Sequence, residues 1–136
     1  MPRVLIATLC DDVREEVHGK HSIMGVFNQF NISDFRNPVN SFWIFARIEF
    51  EQDGEYSIGF QLRAVEGQPV LFNVDGGISL QSKNTSEIRP VGDIKVRVDG
   101  LRFPRHGIYE LAILFDNNIL QTIPIQVFVP QTPYVQ

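Results

Sequence analysis

FPRHGIYELAILFD, residues 103–116, decides the fold. A turn carrying Pro104 and Gly107 leads into Tyr109, Leu111, Ile113 and Phe115, apolar at every second position, and the run ends on Asp116-Asn117-Asn118. Residues two apart share one face of an extended chain, so the spacing predicts a strand over 108–115 with one face on a core. The same period continues outward in both directions. Tyr56, Ile58, Phe60, Leu62 and Ala64 alternate with Ser57, Gly59, Gln61 and Arg63, and Ile94, Val96 and Val98 alternate with Lys95, Arg97 and Asp99. Val70, Phe72 and Val74 repeat the pattern, as do Ile119, Gln121, Ile123, Ile125, Val127 and Val129. Turn residues stand between the runs: Asp53-Gly54, Glu66-Gly67, Asp75-Gly76-Gly77 and Asp99-Gly100. Strands are predicted over 3–10, 21–30, 42–51, 55–65, 69–74, 93–99, 108–115 and 119–129, with weaker patterns at 31–35 and 78–82. Only Asp11–Val17 reads as helix-like, and it is too short to stand alone. Many short strands separated by turns mean a β-sandwich or barrel.

Three runs are apolar on both faces. In NSFWIFARIEF (40–50), Phe42, Ile44, Ala46, Ile48 and Phe50 share one face while Trp43 and Phe45 occupy the other. RVLIATLC (3–10) sets Val4, Ile6 and Cys10 opposite Leu5, Ala7 and Leu9, and 108–115 adds Ala112 and Leu114 behind its main face. A strand with a wet outer side should not read this way, so the second face needs a cover. Trp43 and Phe45 would each bury on the order of 150–250 Å². Two covers are open: residues 31–41 of the same chain, or a second copy in a symmetric dimer.

The composition is that of a folded domain. In 136 residues 43% are hydrophobic and 21% charged, and twelve basic against sixteen acidic residues leave a net charge of -4. One domain over 1–130 is expected, with 131–136 as a short tail stopped from strand pairing by Pro130 and Pro133. Scattered basic residues and an acidic balance argue against nucleic acid as a partner. One cysteine forms no internal disulfide, which favours a reducing compartment. The apolar run Val4–Cys10 is at the lower limit for a signal core, Leu9 precedes the cysteine, and no run approaches the ~18 apolar residues of a membrane span. No membrane association and a cytoplasmic location are expected.

LCDDVREEVHGKHS (9–22) is the densest cluster of reactive side chains, with Cys10, Asp11, Asp12, Glu15, Glu16, His18 and His21. A nucleophilic cysteine needs a base or a positive field, whereas Cys10 is followed by two carboxylates that raise a thiol pKa. Zinc needs four ligands in a recognisable spacing, and the cluster has none. The reading is a buried thiol at the end of a strand, a turn at Gly19-Lys20, and acids that solvate the connection. Glu49 and Glu51 lie two apart on a strand, about 7 Å, a separation glycosidase chemistry could use but one that edge protection explains as well. His106 and Arg105 belong to a charged turn. No Gly-rich loop leads into a helix and GxSxG is absent, so no catalytic residue, metal or cofactor is assigned.

Phe103-Pro104 through Tyr109 resembles the corner that enters the F strand of immunoglobulin-like sandwiches, where a tyrosine hydroxyl bonds back to the backbone and a glycine stands two residues before the ring. Arg105 stands where those domains often carry Asp, and Leu111 replaces their cysteine. More widely, LCDD near the start, GK, SIMGVF, a central aromatic strand and the closing FPxxGxYxLxIxxD pattern (here 103–116) look like a family of small uncharacterised bacterial proteins, a domain of unknown function. The resemblance implies an all-β antiparallel β-sandwich, immunoglobulin-like or a related Greek key with eight to ten strands, and carries no activity.

Three functions remain. The favoured one is a non-enzymatic module that binds another protein or a second copy, through the Trp43/Phe45 face or an exposed edge. A small-molecule or carbohydrate-binding sandwich is the alternative, with Trp43, Tyr56, Asn73 and Asn84 as candidates by residue type. An enzyme or metal site using the Cys10–His21 cluster is the least supported.

Overall fold

The period-two runs are pleated strands in the computed structural model, which describes residues 1–66, 68–81 and 89–130. Among these residues the order is β1 (Arg3–Glu15), β2 (His21–Phe27), β3 (Gln29–Asn31), β4 (Phe42–Glu49), β5 (Gly54–Ala64), β6 (Val70–Leu80), β7 (Val91–Val98), β8 (Gly107–Phe115) and β9 (Asn118–Phe128). They form a four-stranded sheet, β2-β1-β4-β7, facing a five-stranded sheet, β3-β9-β8-β5-β6. All pairs are antiparallel except β3 with β9, which is parallel. This is the sandwich that the patterning and the resemblance imply, with β4-to-β5 and β7-to-β8 crossing between the sheets.

The core lies between the layers. Phe42, Ile44, Ala46 and Ile48 of β4 meet Ile58, Phe60 and Leu62 of β5 and Leu111 and Ile113 of β8, all under 3% exposed. Rings close both ends. Phe30 meets Phe42 edge-on and Phe103 at a tilt, with centroids 5.4 and 5.0 Å apart, and Phe50 lies flat on Tyr56 at 4.3 Å. No charged or polar residue is buried among the described residues.

The corner is built as the resemblance implies. Tyr109, 2% exposed, donates its hydroxyl to the Arg105 carbonyl at 2.8 Å. Gly107 takes φ +145°, a conformation that favours glycine, and this turns the chain into β8. The same device recurs at the start of β5, where Tyr56 donates to the Gln52 carbonyl at 2.6 Å, two residues after Gly54. Tyr109→Phe is expected to cost about 1 kcal/mol, the net worth of one such bond, and to leave the fold intact; urea unfolding measures it. No change in midpoint would show the hydroxyl to be idle.

Five expectations need correction. Residues 11–15 are strand, not helix-like or turn: β1 runs on to Glu15 because Asp12, Val13, Arg14 and Glu15 pair with Met24, Ile23, Ser22 and His21. The reversal itself falls at His18-Gly19, both at positive φ. The single strand expected over 21–30 is two, since the chain changes sheets at Asn28, whose amide donates to the Pro124 carbonyl at 3.2 Å while its own carbonyl accepts from Gln126. Residues 32–35 are not strand; they begin the crossing from β3 to β4. Asp75-Gly76-Gly77 is not a turn but the middle of β6. A Cβ on Gly76 would stand 3.0 Å from Ile94 of β7, and one on Gly92 of β7 would stand 2.8 Å from Ile78 of β6, so the glycines let facing strands of the two sheets interlock. Finally, Val4 does not share a face with Cys10. A bulge between Val4 and Ile6 inserts one residue, so Val4, Ala7 and Leu9 face the core while Cys10 faces out. The turn expected at Asp116-Asn117-Asn118 is present: Asp116 and Asn117, both at positive φ, make a two-residue hairpin closed by the Phe115–Asn118 pair.

Candidate functional site: the outer face of the four-stranded sheet

On β4 the residues opposite the core are Trp43, Phe45, Arg47 and Glu49, paired across to Arg97, Lys95, Asp93 and Val91 of β7. β1 follows β4 only as far as Cys10 and then continues with β2 alone, as a two-stranded arm. The arm folds back over this face. Cys10, Val13 and Phe45 form a small second core, with Ile23 and Trp43 packed against it, and the His21 ring lies 5.4 Å from the Phe45 ring. The cover demanded by the apolar outer face is therefore the arm, residues 11–24, rather than 31–41. That loop caps the end of the main core instead, tied by Ile32 N–H to the Phe128 carbonyl and Val39 N–H to the Leu101 carbonyl.

Of the two interface candidates, Phe45 lies beneath the arm at 1% exposure. Trp43 is half-buried, with the Lys95 ammonium 5.9 Å from its ring centroid. Cys10 is fully buried, and its thiol is pushed up first by burial and then by the neighbouring Asp11 carboxylate. His18 is exposed on the turn, whereas His21 points in beneath the arm.

His21 ends at a charged latch. Its Nδ1 lies 2.7 Å from Asp93 Oδ2, and Arg47 donates from Nε to Asp93 Oδ1 at 2.7 Å and from a terminal nitrogen to Oδ2 at 2.8 Å. Burial pushes the Asp93 carboxyl up, but the hydrogen bond and charge of Arg47, then those of His21, outweigh it and hold the group below the ordinary aspartate value. Two strands and the arm tip are thereby joined by one carboxylate. Beside the latch is an open cleft of about 570 Å³ lined by Leu5, Gly19, His21, Arg47, Val91 and Asp93. Its apolar lining residues Leu5 and Val91 are 40 and 44% exposed, and Ile6, paired with Arg47 on the same face, is 43% exposed. The bulge after Val4 turns both Leu5 and Ile6 to this side.

The remaining candidates are dispersed. Glu49 and Glu51 do not act as a pair: Glu49 accepts from Arg3 at 2.8 Å, and Glu51 meets the amino terminus at 2.9 Å. Tyr56 is partly buried, packed against the end of the core. Asn73 lies on the outer face of the other sheet, in a chain of hydrogen bonds through Gln61 and Arg63 to Glu110. Asn84 lies outside the described residues, as does the 131–136 tail. The fold thus does not gather Trp43, Tyr56 and Asn73 into one platform. Sequence reasoning missed Arg47 and Asp93, which alternate on their strands like ordinary solvated charges; the only signal is that Arg47 sits within the doubly apolar run 40–50, and Asp93 carries none.

The LCDD and SIMGVF motifs meet in the arm. Asp11 and Gly25 stand opposite each other between the Cys10–Val26 and Asp12–Met24 pairs, and a Cβ on Gly25 would fall 2.2 Å from the Asp11 carboxylate. A model of a family of unknown function, DUF6941, matches residues 5–128, arm and both corners included. The chain belongs to the DUF6941 family. No curated protein matches it by sequence. Among solved structures, the C-terminal domain of wzt is similar over 99% of this chain and 83% of that one, at 11% identity and a TM-score of 0.51. A β-glucosidase from Listeria innocua, solved in complex with glucose, is similar over 76% of this chain at 10% identity and a TM-score of 0.50, and the chain spans only 15% of that enzyme's length. An immunoglobulin-like protein from Pseudomonas aeruginosa aligns over 93% of this chain and 96% of that one, at 12% identity and a TM-score of 0.44. At these identities the likenesses to the first two speak for the fold alone, and membership of DUF6941 brings no activity with it. No helix among the described residues is long and apolar enough to cross a membrane.

Proposed function

We propose that this member of DUF6941 is a non-enzymatic binding module acting through protein–protein contact, and that the outer face of its four-stranded sheet receives the partner. The observation that carries the reading is the set of apolar side chains left uncovered by the arm. Leu5 and Val91 line the latch cleft and Ile6 lies beside it across from Arg47, all at 40–44% exposure, and the half-buried Trp43 lies further up the same strand face. Apolar residues gathered around a fixed ion pair are what a protein interface offers a partner. Self-association belongs to the same reading, since a symmetric pair is the commonest assembly. The free, buried Cys10 suits a reducing cytoplasm, and the motif resemblance favours a bacterial source.

A photo-cross-linking residue at Leu5 or Val91 tests the surface, followed by binding of the captured protein in purified form. Ile6→Asp is expected to weaken that binding by more than tenfold, the effect of losing one central apolar contact, with the melting temperature of the free domain unchanged. Equal binding by wild type and Ile6→Asp would remove this face from the proposal.

A further inference from the structure

We infer that a second copy of the chain docks along the free edge of β6, joining two five-stranded sheets into one. This rests on the self-association part of the reading above and names its surface. Sheet edges expose unpaired backbone groups, and natural proteins blunt them with short strands, lysines, prolines or bends. Here β3 has three residues, β7 carries Lys95 and Arg97, β2 is bent at Gly25, and the stretch of β9 that β3 leaves open contains Pro124. β6 is eleven residues long, VLFNVDGGISL, with no lysine, arginine or proline; its one bulge, at Leu71, and its one charge, Asp75, leave Phe72–Leu80 as a regular run, which pairs only with β5 among the described residues.

The strand is also complementary to itself. A two-fold axis through Gly76 pairs β6 antiparallel with its copy so that Asp75 faces Gly77, Val74 faces Ile78, Asn73 faces Ser79 and Phe72 faces Leu80. Apolar residues then meet apolar ones on the inner face and polar meet polar on the outer. The register one pair over, centred on Asp75, would set two carboxylates against each other. Gly77 is an open position on the outer face of the seam: a Cβ there would meet nothing closer than the Tyr56 carbonyl oxygen at 4.0 Å, so a side chain can be placed there without disturbing the chain's own packing.

The test is a pair of substitutions at that open position, read by sedimentation over a range of concentrations. Gly77→Asp places like charges opposite Asp75 of the partner twice over, and Gly77→Lys places opposite charges there. The dimer dissociation constant is expected to rise roughly two- to thirtyfold with aspartate and to fall by a similar factor with lysine. Both variants carry the same backbone change, so thermal melting separates the seam from folding. A dimer that responds equally to both, or that is lost in Ile6→Asp and untouched by either, would overturn the inference and leave the self-association reading standing. A wild-type chain that stays monomeric at every concentration would overturn both.

Discussion

Phe45→Ala is expected to lose about 3–5 kcal/mol of stability and to release the arm. The ring is 1% exposed and is the centre of the second core, touching Cys10 and Val13 of β1 and the His21 ring. A domain of this size has roughly 5–15 kcal/mol in total, so the loss is a large part of it. What sets this substitution apart from one in the main core is where the damage falls. Little besides this cluster and the latch holds residues 11–24 down, so their amides should exchange faster than the loss of global stability explains. The Cys10 thiol, fully buried and with a raised pKa in the intact protein, should become reactive toward a disulfide reagent. Phe60→Ala, on the opposite core face, is the control: a similar loss of stability, with Cys10 labelling rising only as global unfolding does. If Phe45→Ala leaves both Cys10 labelling and exchange in the arm at the control level, the arm is held by something else.

Asp93→Asn is expected to cost about 1.5–3 kcal/mol, the worth of hydrogen bonds to a charged group, and to change how stability responds to acid. The side chain is 12% exposed and bonded to both Arg47 and His21. Its pKa is depressed in the folded state, so the folded protein binds fewer protons here than the unfolded one in the acid range. The contribution of Asp93 is therefore complete above its unfolded value of about 3.9 and is lost as pH falls through the lower, folded value. Urea midpoints of wild type and Asp93→Asn should differ by a constant amount near neutrality and converge in acid. Curves that stay parallel down to pH 2 would show that the charge on Asp93 contributes nothing to the fold.

The latch illustrates why part of the site is hidden in the sequence. Arg47 and Asp93 are 46 residues apart and His21 and Asp93 are 72 apart, and each looks locally like a solvated position. Only the register of β4 on β7, set by the neighbouring apolar pairs, puts Arg47 beside Asp93. The arm is hidden for a different reason. Between Asp11 and Glu15 the alternation rests on Val13 alone, and charged residues on either side read equally well as a turn. Pairing with β2 and burial against Phe45 decide the matter, as tertiary contacts override weak local preference. In β6 Gly76 and Gly77 mimic a turn, and the use of Gly76 is visible only when Ile94 of the opposite sheet is in place.

Where local chemistry is sufficient, a short stretch of sequence specifies its own structure. Alternation specifies which residues of β4, β5 and β8 enter the core, because one pleat admits one answer; in β9 a bulge at Leu120 breaks the expected run, turning Ile119 out at 50% exposure and Leu120 toward the core. Asp116-Asn117 specifies its hairpin through tolerance of positive φ, and Gly107 with Tyr109 specifies the corner. The surplus of apolar residues on the back of β4 dictates that something lies over it. Tertiary structure alone decides that the cover is the chain's own arm, that Cys10 belongs to its small core, and that one aspartate ties the arm to the sheet. Burial requirements are additive along a strand and so can be counted from sequence, whereas the identity of the covering segment depends on a bulge, a change of sheet and a long-range register that no single stretch encodes.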